Sequence, residues 1–175
     1  VHGGAFTAVV SDKHPDYSST RFAQTLPVPR VAMQHHLAHV LACLLEHQQP
    51  ADNVLGVAWD GTGYGEDGTV WGGEFLLLRR NTARRFGRLH PFRLPGGDAA
   101  ARDPRRMALS LLQAAGNARY DSFAHEFGFS PDDARVLRIM LGRGLNAPMA
   151  SSAGRLFDAV GALLGLGHRN HFEGQ

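Results

Sequence analysis

Val54-Leu55-Gly56-Val57-Ala58-Trp59-Asp60-Gly61-Thr62-Gly63-Tyr64-Gly65-Glu66-Asp67-Gly68 is where the chain changes from strand to turn, and the fold reading grows from it. Val54 to Trp59 is a continuous apolar run, which predicts a strand buried on both faces. Asp60 to Gly68 carries four glycines and predicts a turn. Thr69 to Leu78 resumes as a strand, and Arg84 to Phe92 reads as a third in the same meander. Pro95-Gly96-Gly97-Asp98 breaks the chain, and beyond Asp103-Pro104 the pattern turns helical. Helices are expected over Arg105 to Ala115, Tyr120 to Glu126 and Asp132 to Arg143, with Ser151-Ser152 capping a last one over Ala153 to Leu164.

Upstream, Phe6 to Val10 is of strand type and His14-Pro15-Asp16-Tyr17 forms a turn. Ser18 to Leu26 reads as a short helix from a serine cap, closed by Pro27 and Pro29. Arg30 to Met33 predicts a strand. From His35 the apolar positions Leu37, Val40, Leu41, Leu44 and Leu45 recur at helical spacing to about His47. Strands followed by a helical insertion give an α/β or α+β arrangement, with no interdomain linker. The strands are few for about five helices, and both ends are abrupt. Residues 1–175 are therefore expected to be one domain truncated at both ends.

Hydrophobic residues at 43% and charged residues at 19% indicate a globular chain rather than a disordered one. Its apolar stretches fall well short of the roughly 20 residues that span a bilayer. Within these residues no basic leader followed by an apolar run is visible, and a cytoplasmic protein is expected. The net charge is +2 and the pI 9.1, but the arginines are scattered among acids. Their densest run, Arg79-Arg80, Arg84-Arg85 and Arg88, suits a solvated strand edge, so no nucleic-acid partner is expected. The single cysteine, Cys43, excludes a disulfide framework or a zinc ribbon. Its apolar surroundings predict a buried, inert thiol.

Two segments carry possible chemistry, and a third is weaker. In Gln34-His35-His36-Leu37-Ala38-His39, a helix starting near His35 puts His35 and His39 one turn apart, about 5–6 Å between Cβ atoms. Such a pair can share a divalent metal with a carboxylate and water. The alternative is a helix start that is merely histidine-rich, and the glutamate of a zinc-protease helix is missing. In the Asp60–Gly68 loop, glycines leave backbone N–H groups open to phosphate oxygens. Asp60 is placed to hold a metal or orient water, and Thr62 could add a hydroxyl. An ordinary hairpin whose Asp-Gly pairs supply positive φ is the alternative. The loop has no P-loop lysine and no dinucleotide fingerprint. The third segment, Ser151 to Asp158, starts a helix with small residues. Its Asp158 could meet a ribose hydroxyl or a neighbouring arginine.

Taken together and in order, these segments resemble the HypF carbamoyltransferase family of hydrogenase maturation proteins. The resemblance is carried by His14-Pro15-Asp16-Tyr17 with Ser19-Thr20-Arg21, by Gln34 to His39, and by Trp59 to Gly65. It continues through Trp71-Gly72-Gly73-Glu74-Phe75, Leu94 to Asp98, Ser151 to Asp158 and Phe172-Glu173-Gly174-Gln175. It implies part of an actin-like ATPase domain (ASKHA, ribonuclease H-like) with a helical insertion, related to the ATPases that make threonylcarbamoyladenosine. It further implies ATP-dependent carbamoyl transfer from carbamoyl phosphate, through carbamoyl adenylate, to the C-terminal cysteine of a HypE-type protein, on the route to the cyanide ligands of NiFe-hydrogenase. By the same resemblance His35 and His39 bind a divalent metal, zinc or iron. Trp59, Asp60, Gly61, Thr62 and Gly63 lie at the nucleotide, with Asp60 in the catalytic role, and Asp158 and Gly174 lie around the nucleoside. A tRNA threonylcarbamoyl transferase usually carries Ser-Gly-Gly-His where this chain has Asp60 to Gly63. His14 to Tyr17 also argues against an antibiotic O-carbamoyltransferase. A non-catalytic partner-binding module is the rival from another class.

Overall fold

The computed structural model describes residues 6–80, 82–167 and 169; Phe172 to Gln175, with the expected nucleoside contact Gly174, lies outside them. The chain opens on a strand–helix–strand unit. Strand β1 (Val9–Asp12) pairs in parallel with β2 (Arg30–Met33), from Val9 opposite Arg30 to Asp12 opposite Met33. The crossover between them is α1 (Ser18–Gln24), which parallel pairing requires. Its N-cap is Tyr17 rather than Ser18, with no side-chain cap bond. Thr20 and Ala23 are its buried residues, and Thr20 Oγ1 donates to the Asp12 carbonyl at 3.2 Å.

Helix α2 (His35–Glu46) starts where the histidines predicted. Gln34 caps it, its Oε1 accepting the Leu37 N–H at 2.9 Å. The buried residues His36 and Val40 face the sheet, and Val40 packs with Leu37, Leu41 and Leu44 over Ala58, Trp71, Leu76 and Leu78. Gly56 is required beneath it, because an added Cβ would sit 2.6 Å from both Val40 methyls.

The next three strands form the meander. They are β3 (Val54–Tyr64), β4 (Val70–Arg79) and β5 (Thr82–Arg88). The expected glycine turn is much shorter than read, since β3 continues through Asp60 to Tyr64 with a register shift between Trp59 and Gly63. Reversal is left to Gly65 through Thr69, closed by Gly65 N–H donating to the Thr69 carbonyl at 3.0 Å. The expectation that Val54 to Trp59 is buried on both faces is also corrected. Gly56 and Ala58 are buried, but Leu55, Val57 and Trp59 are 52%, 53% and 59% exposed. The reason is topological: β3 is a sheet edge, and α2 covers its one face. Cys43 is likewise exposed rather than buried. It lines an open groove of about 400 Å³ between α2 and the β3 edge.

Beyond the meander come β6 (Phe92–Arg93), α3 (Asp98–Arg102), α4 (Pro104–Ala114), α5 (Tyr120–Glu126), α6 (Pro131–Arg143), β7 (Met149–Ala150) and α7 (Ala153–Leu163). The sheet order is β3-β4-β7-β6, with β5 also on β4. The pairing that returns the chain to the site is β7 alongside β4, Ala150 opposite Val70. Helices α4 to α7 enclose a core of Ala108, Leu109, Leu112, Tyr120, Phe127 and Leu137, among others. Among the described residues no helix is long and apolar enough to cross a membrane.

Candidate metal centre

Gln34 sets the position of the first turn of α2. Beyond capping the helix, its Nε2 donates to the Tyr64 carbonyl at 3.2 Å and meets His36 Nδ1 at 3.2 Å. The helix start is thereby tied to the far end of β3. His35 and His39 then turn toward Asp60 in the middle of that strand. His35 Nε2 lies 2.9 Å from Asp60 Oδ2, His39 Nε2 lies 3.2 Å from His35 Nε2, and His39 Nε2 lies 3.6 Å from Asp60 Oδ2. These are the spacings of donor atoms that share one cation at about 2.0–2.2 Å from each. All three ligand atoms fall within 4.8 Å of one another.

His35 is also held from behind. Its Nδ1 lies 2.8 Å from Asp12 Oδ2, so a single imidazole spans two carboxylates. Burial pulls its pKa down, but the bonds to Asp12 and Asp60 outweigh that and hold it above the ordinary value. A neutral imidazole has one N–H and cannot donate to both acids. The arrangement therefore needs either an imidazolium or a cation between Nε2 and Asp60. Burial acts on Asp60 in the opposite direction, but the Gly61 N–H, which donates to its Oδ1 at 2.6 Å, and His35 hold its carboxyl below the usual range.

His36 points inward and is fully buried. Burial, followed by the nearby charge of His35, lowers its pKa to about 4, so it is neutral at ordinary pH. Among the described residues its Nε2 has no hydrogen-bond partner, and it sits 4.0 Å from Asp60 Oδ2. Gly63 makes this crowding possible: a Cβ there would lie 2.4 Å from His36 Cε1 and 2.8 Å from His35 Cδ2.

The remaining expected site residues spread along β3 and onto α7. Trp59 and Asp60 line the groove beside α2. Thr62 and Gly63 line a second cleft of about 490 Å³, with His14, Tyr17, Asp98 and Arg155. Gly61 packs on the α7 N-terminus, where Ser152 Oγ donates to its carbonyl and a Cβ on Gly154 would come within 3.0 Å of Gly61 Cα. Asp158 forms an ion pair with Arg155 at 2.7 Å, both largely buried.

Two parts of the site were not read from the sequence. Asp12 is one, and its local signal was only an acid two residues before His14. The other is a buried network under the Gly65–Thr69 turn. Glu74, fully buried, accepts Arg85 Nε at 2.6 Å, while Arg85 Nη1 reaches Asp67 at 2.8 Å and Nη2 reaches Ser151 Oγ at 3.0 Å. The guanidinium lies over Trp71, 4.0 Å from the ring centroid. Trp71 Nε1 donates to Asp67 at 2.8 Å.

Comparison with known proteins identifies the family and the fold. A family model described as the second subdomain of the Kae1-like domain of carbamoyltransferase matches residues 56–175, and the HypF Kae1-like domain matches residues 1–46. The chain is 41% identical to carbamoyltransferase HypF of Synechocystis, over 95% of this chain and 24% of that protein. It is 45% identical to that of Rhodobacter capsulatus, over 96% and 23%. The fold matches full-length HypF crystallised in its phosphate- and nucleotide-bound form, with TM-score 0.85 and 36% identity over 96% of this chain and 22% of that one. HypF of T. kodakarensis matches at TM-score 0.81 and 32% identity, over 95% and 23%. The chain thus spans about a quarter or less of these relatives, and within that span it belongs to the HypF carbamoyltransferase family, with the Kae1-like, actin-like ATPase type of fold.

Proposed function

We propose that this chain forms the metal- and nucleotide-handling part of a carbamoyl-transfer domain. The overall reaction is ATP-dependent transfer of a carbamoyl group from carbamoyl phosphate, by way of carbamoyl adenylate, to the C-terminal cysteine of a HypE-type acceptor in hydrogenase maturation. The observation that carries the reading is the convergence of His35 and His39 from α2 with Asp60 from β3. That donor set suits a divalent ion such as zinc or iron. A bound ion would supply the positive charge that offsets phosphate and polarises the carbamoyl group.

The chain's own groups divide the remaining work. Asp60 is anionic and would repel a phosphate unless a cation lies between them, which makes nucleotide binding depend on the two histidines. His36, neutral and buried, adds no charge to the site. Gly61 and Gly63 let α7 and the two helix histidines pack directly on the strand. Thr62 and Gly63 line the cleft through which a phosphate would approach, with Trp59 on the groove side. Asp158, paired with Arg155 on α7, is the candidate for the nucleoside side. In the transfer step the acceptor's thiolate sulfur bonds to the carbamoyl carbon as the bond to the adenylate phosphate oxygen breaks, and AMP leaves with the electron pair. No nucleophile from this chain is needed.

The test is metal content of the purified chain beside a His35→Ala/His39→Ala variant, with ATP titrated into each by calorimetry. Metal that is present in the chain and disappears in the variant, with ATP affinity falling too, is expected. Equal ATP affinity in both would sink the link between metal and nucleotide. The chain alone is expected to bind both weakly and not to turn over carbamoyl phosphate.

A further inference from the structure

Asp12 sits where two separate segments of the site meet. Its Oδ2 lies 2.8 Å from His35 Nδ1, and its Oδ1 accepts the His14 N–H at 2.7 Å. One carboxylate thereby ties the metal helix to the His14–Tyr17 turn. The backbone beneath it is fixed as well. Asp12 pairs with Met33 across the parallel sheet, and Thr20 Oγ1 holds its carbonyl. Met33 immediately precedes Gln34, the cap of α2. The two histidines differ sharply in support. His35 is braced at both ring nitrogens, whereas nothing among the described residues holds Nδ1 of His39, whose side chain is 60% exposed.

An imidazole that offers its Nε2 lone pair to a metal must carry its proton on Nδ1. A carboxylate there selects that tautomer and fixes the ring's direction. We propose that Asp12 is a positioning residue: it holds His35 with Nδ1 protonated and Nε2 aimed at the metal, and it couples that geometry to the His14–Tyr17 turn. This role rests on the metal reading of His35, His39 and Asp60.

The experiment titrates Zn²⁺ against a competing chelator into the full chain and its Asp12→Ala, Thr20→Val and His35→Ala variants. Nitrogen-15-edited NMR of the Zn²⁺-loaded proteins follows the His35 Nδ1 proton. Asp12→Ala is expected to weaken Zn²⁺ binding by roughly 10- to 100-fold and to remove the protected Nδ1 proton signal. Thr20→Val loosens the same strand–helix contact but keeps the carboxylate, and should stay near wild-type affinity. Wild-type affinity in Asp12→Ala, with binding lost in His35→Ala, overturns the positioning role and leaves the metal reading standing. Equal losses in Asp12→Ala and Thr20→Val assign the effect to strand packing and overturn it as well. A wild-type chain that takes up no Zn²⁺ removes the metal reading and this role together. Should Asp12→Ala fail to fold, Asp12→Asn replaces it, with one amide oxygen for two donors. A smaller loss of affinity is then expected, and no loss overturns the role.

Discussion

The helical lobe and the site half of this molecule are built on opposite packing principles. In the lobe formed by α4 to α7, buried volume is filled by side chains such as Leu109, Leu112, Leu137 and Phe127. The polar Tyr120 hydroxyl inside it needs a single partner, the Ala134 carbonyl at 3.2 Å. Around β3 and β4 the most buried groups are instead His36, Glu74, Ser151 and Ser152. There the backbones themselves meet. A Cβ on Gly72 would lie 2.6 Å from the Asp60 carbonyl oxygen, and one on Gly73 would lie 2.4 Å from that of Ser151. An apolar core tolerates changes that preserve volume, whereas a polar network fails when one member loses its partner.

The largest expected effect tests that contrast directly. Glu74→Ala leaves Arg85 without its buried partner, and a loss of about 3–5 kcal/mol is expected from urea unfolding. Leu109→Ala in the lobe should cost about 2–5 kcal/mol, most of it as a cavity, while leaving Zn²⁺ affinity in the folded protein unchanged. A metal-binding loss in Leu109→Ala would show that the two halves are not independent. Gly63→Ala sharpens the comparison from the other side. Its overpacking should cost about 1–3 kcal/mol of stability, yet it drives a methyl into His35 and His36 and should abolish metal uptake. Retained uptake with an intact fold would mean that the histidines can give way.

The smallest effects separate the halves by pH. Bonds from Thr69 and Trp71, and the charge of Arg85, overcome burial and lower the Asp67 pKa from 3.8 to about 2. Its folded pKa is depressed, so its stabilisation is fully present above about pH 4 and is lost as pH falls toward 2. Burial raises the Tyr120 pKa from 10.0 to about 12. Its proton is held more tightly in the folded chain, so that stabilisation is present below pH 10 and is lost as pH rises through 12. Melting curves should therefore show an acid-side loss that Asp67→Asn blunts and an alkaline-side loss that Tyr120→Phe blunts. If either variant blunts the other side's loss, the assignment of each pH limb to one half fails.

Local patterns were readable wherever a short segment decides its own structure. Arg30 to Met33, the start of α2 at His35 and the span Tyr120 to Glu126 all lie where periodicity and capping placed them. The helix itself carries His35 and His39 to one face, because residues four apart are neighbours on it. The two-residue strands β6 and β7 and the five-residue helix α3 are too short to leave a period, and they were missed. Cys43 and the outer face of β3 were misread because an apolar run does not reveal whether a second layer covers it.

What the sequence determined by itself was the set of elements, the pair of histidines, the glycine-rich strand end and the resemblance to a family. The tertiary structure decided which acids those histidines meet. Asp12 and Asp60 lie 23 and 25 residues from His35, and no local spacing rule reaches that far. Their convergence depends on the parallel pairing of β1 with β2, on Gln34 bonding to Tyr64, and on glycines that let backbones touch. Each of these is a contact between distant segments, so its energy exists only once the chain has closed on itself.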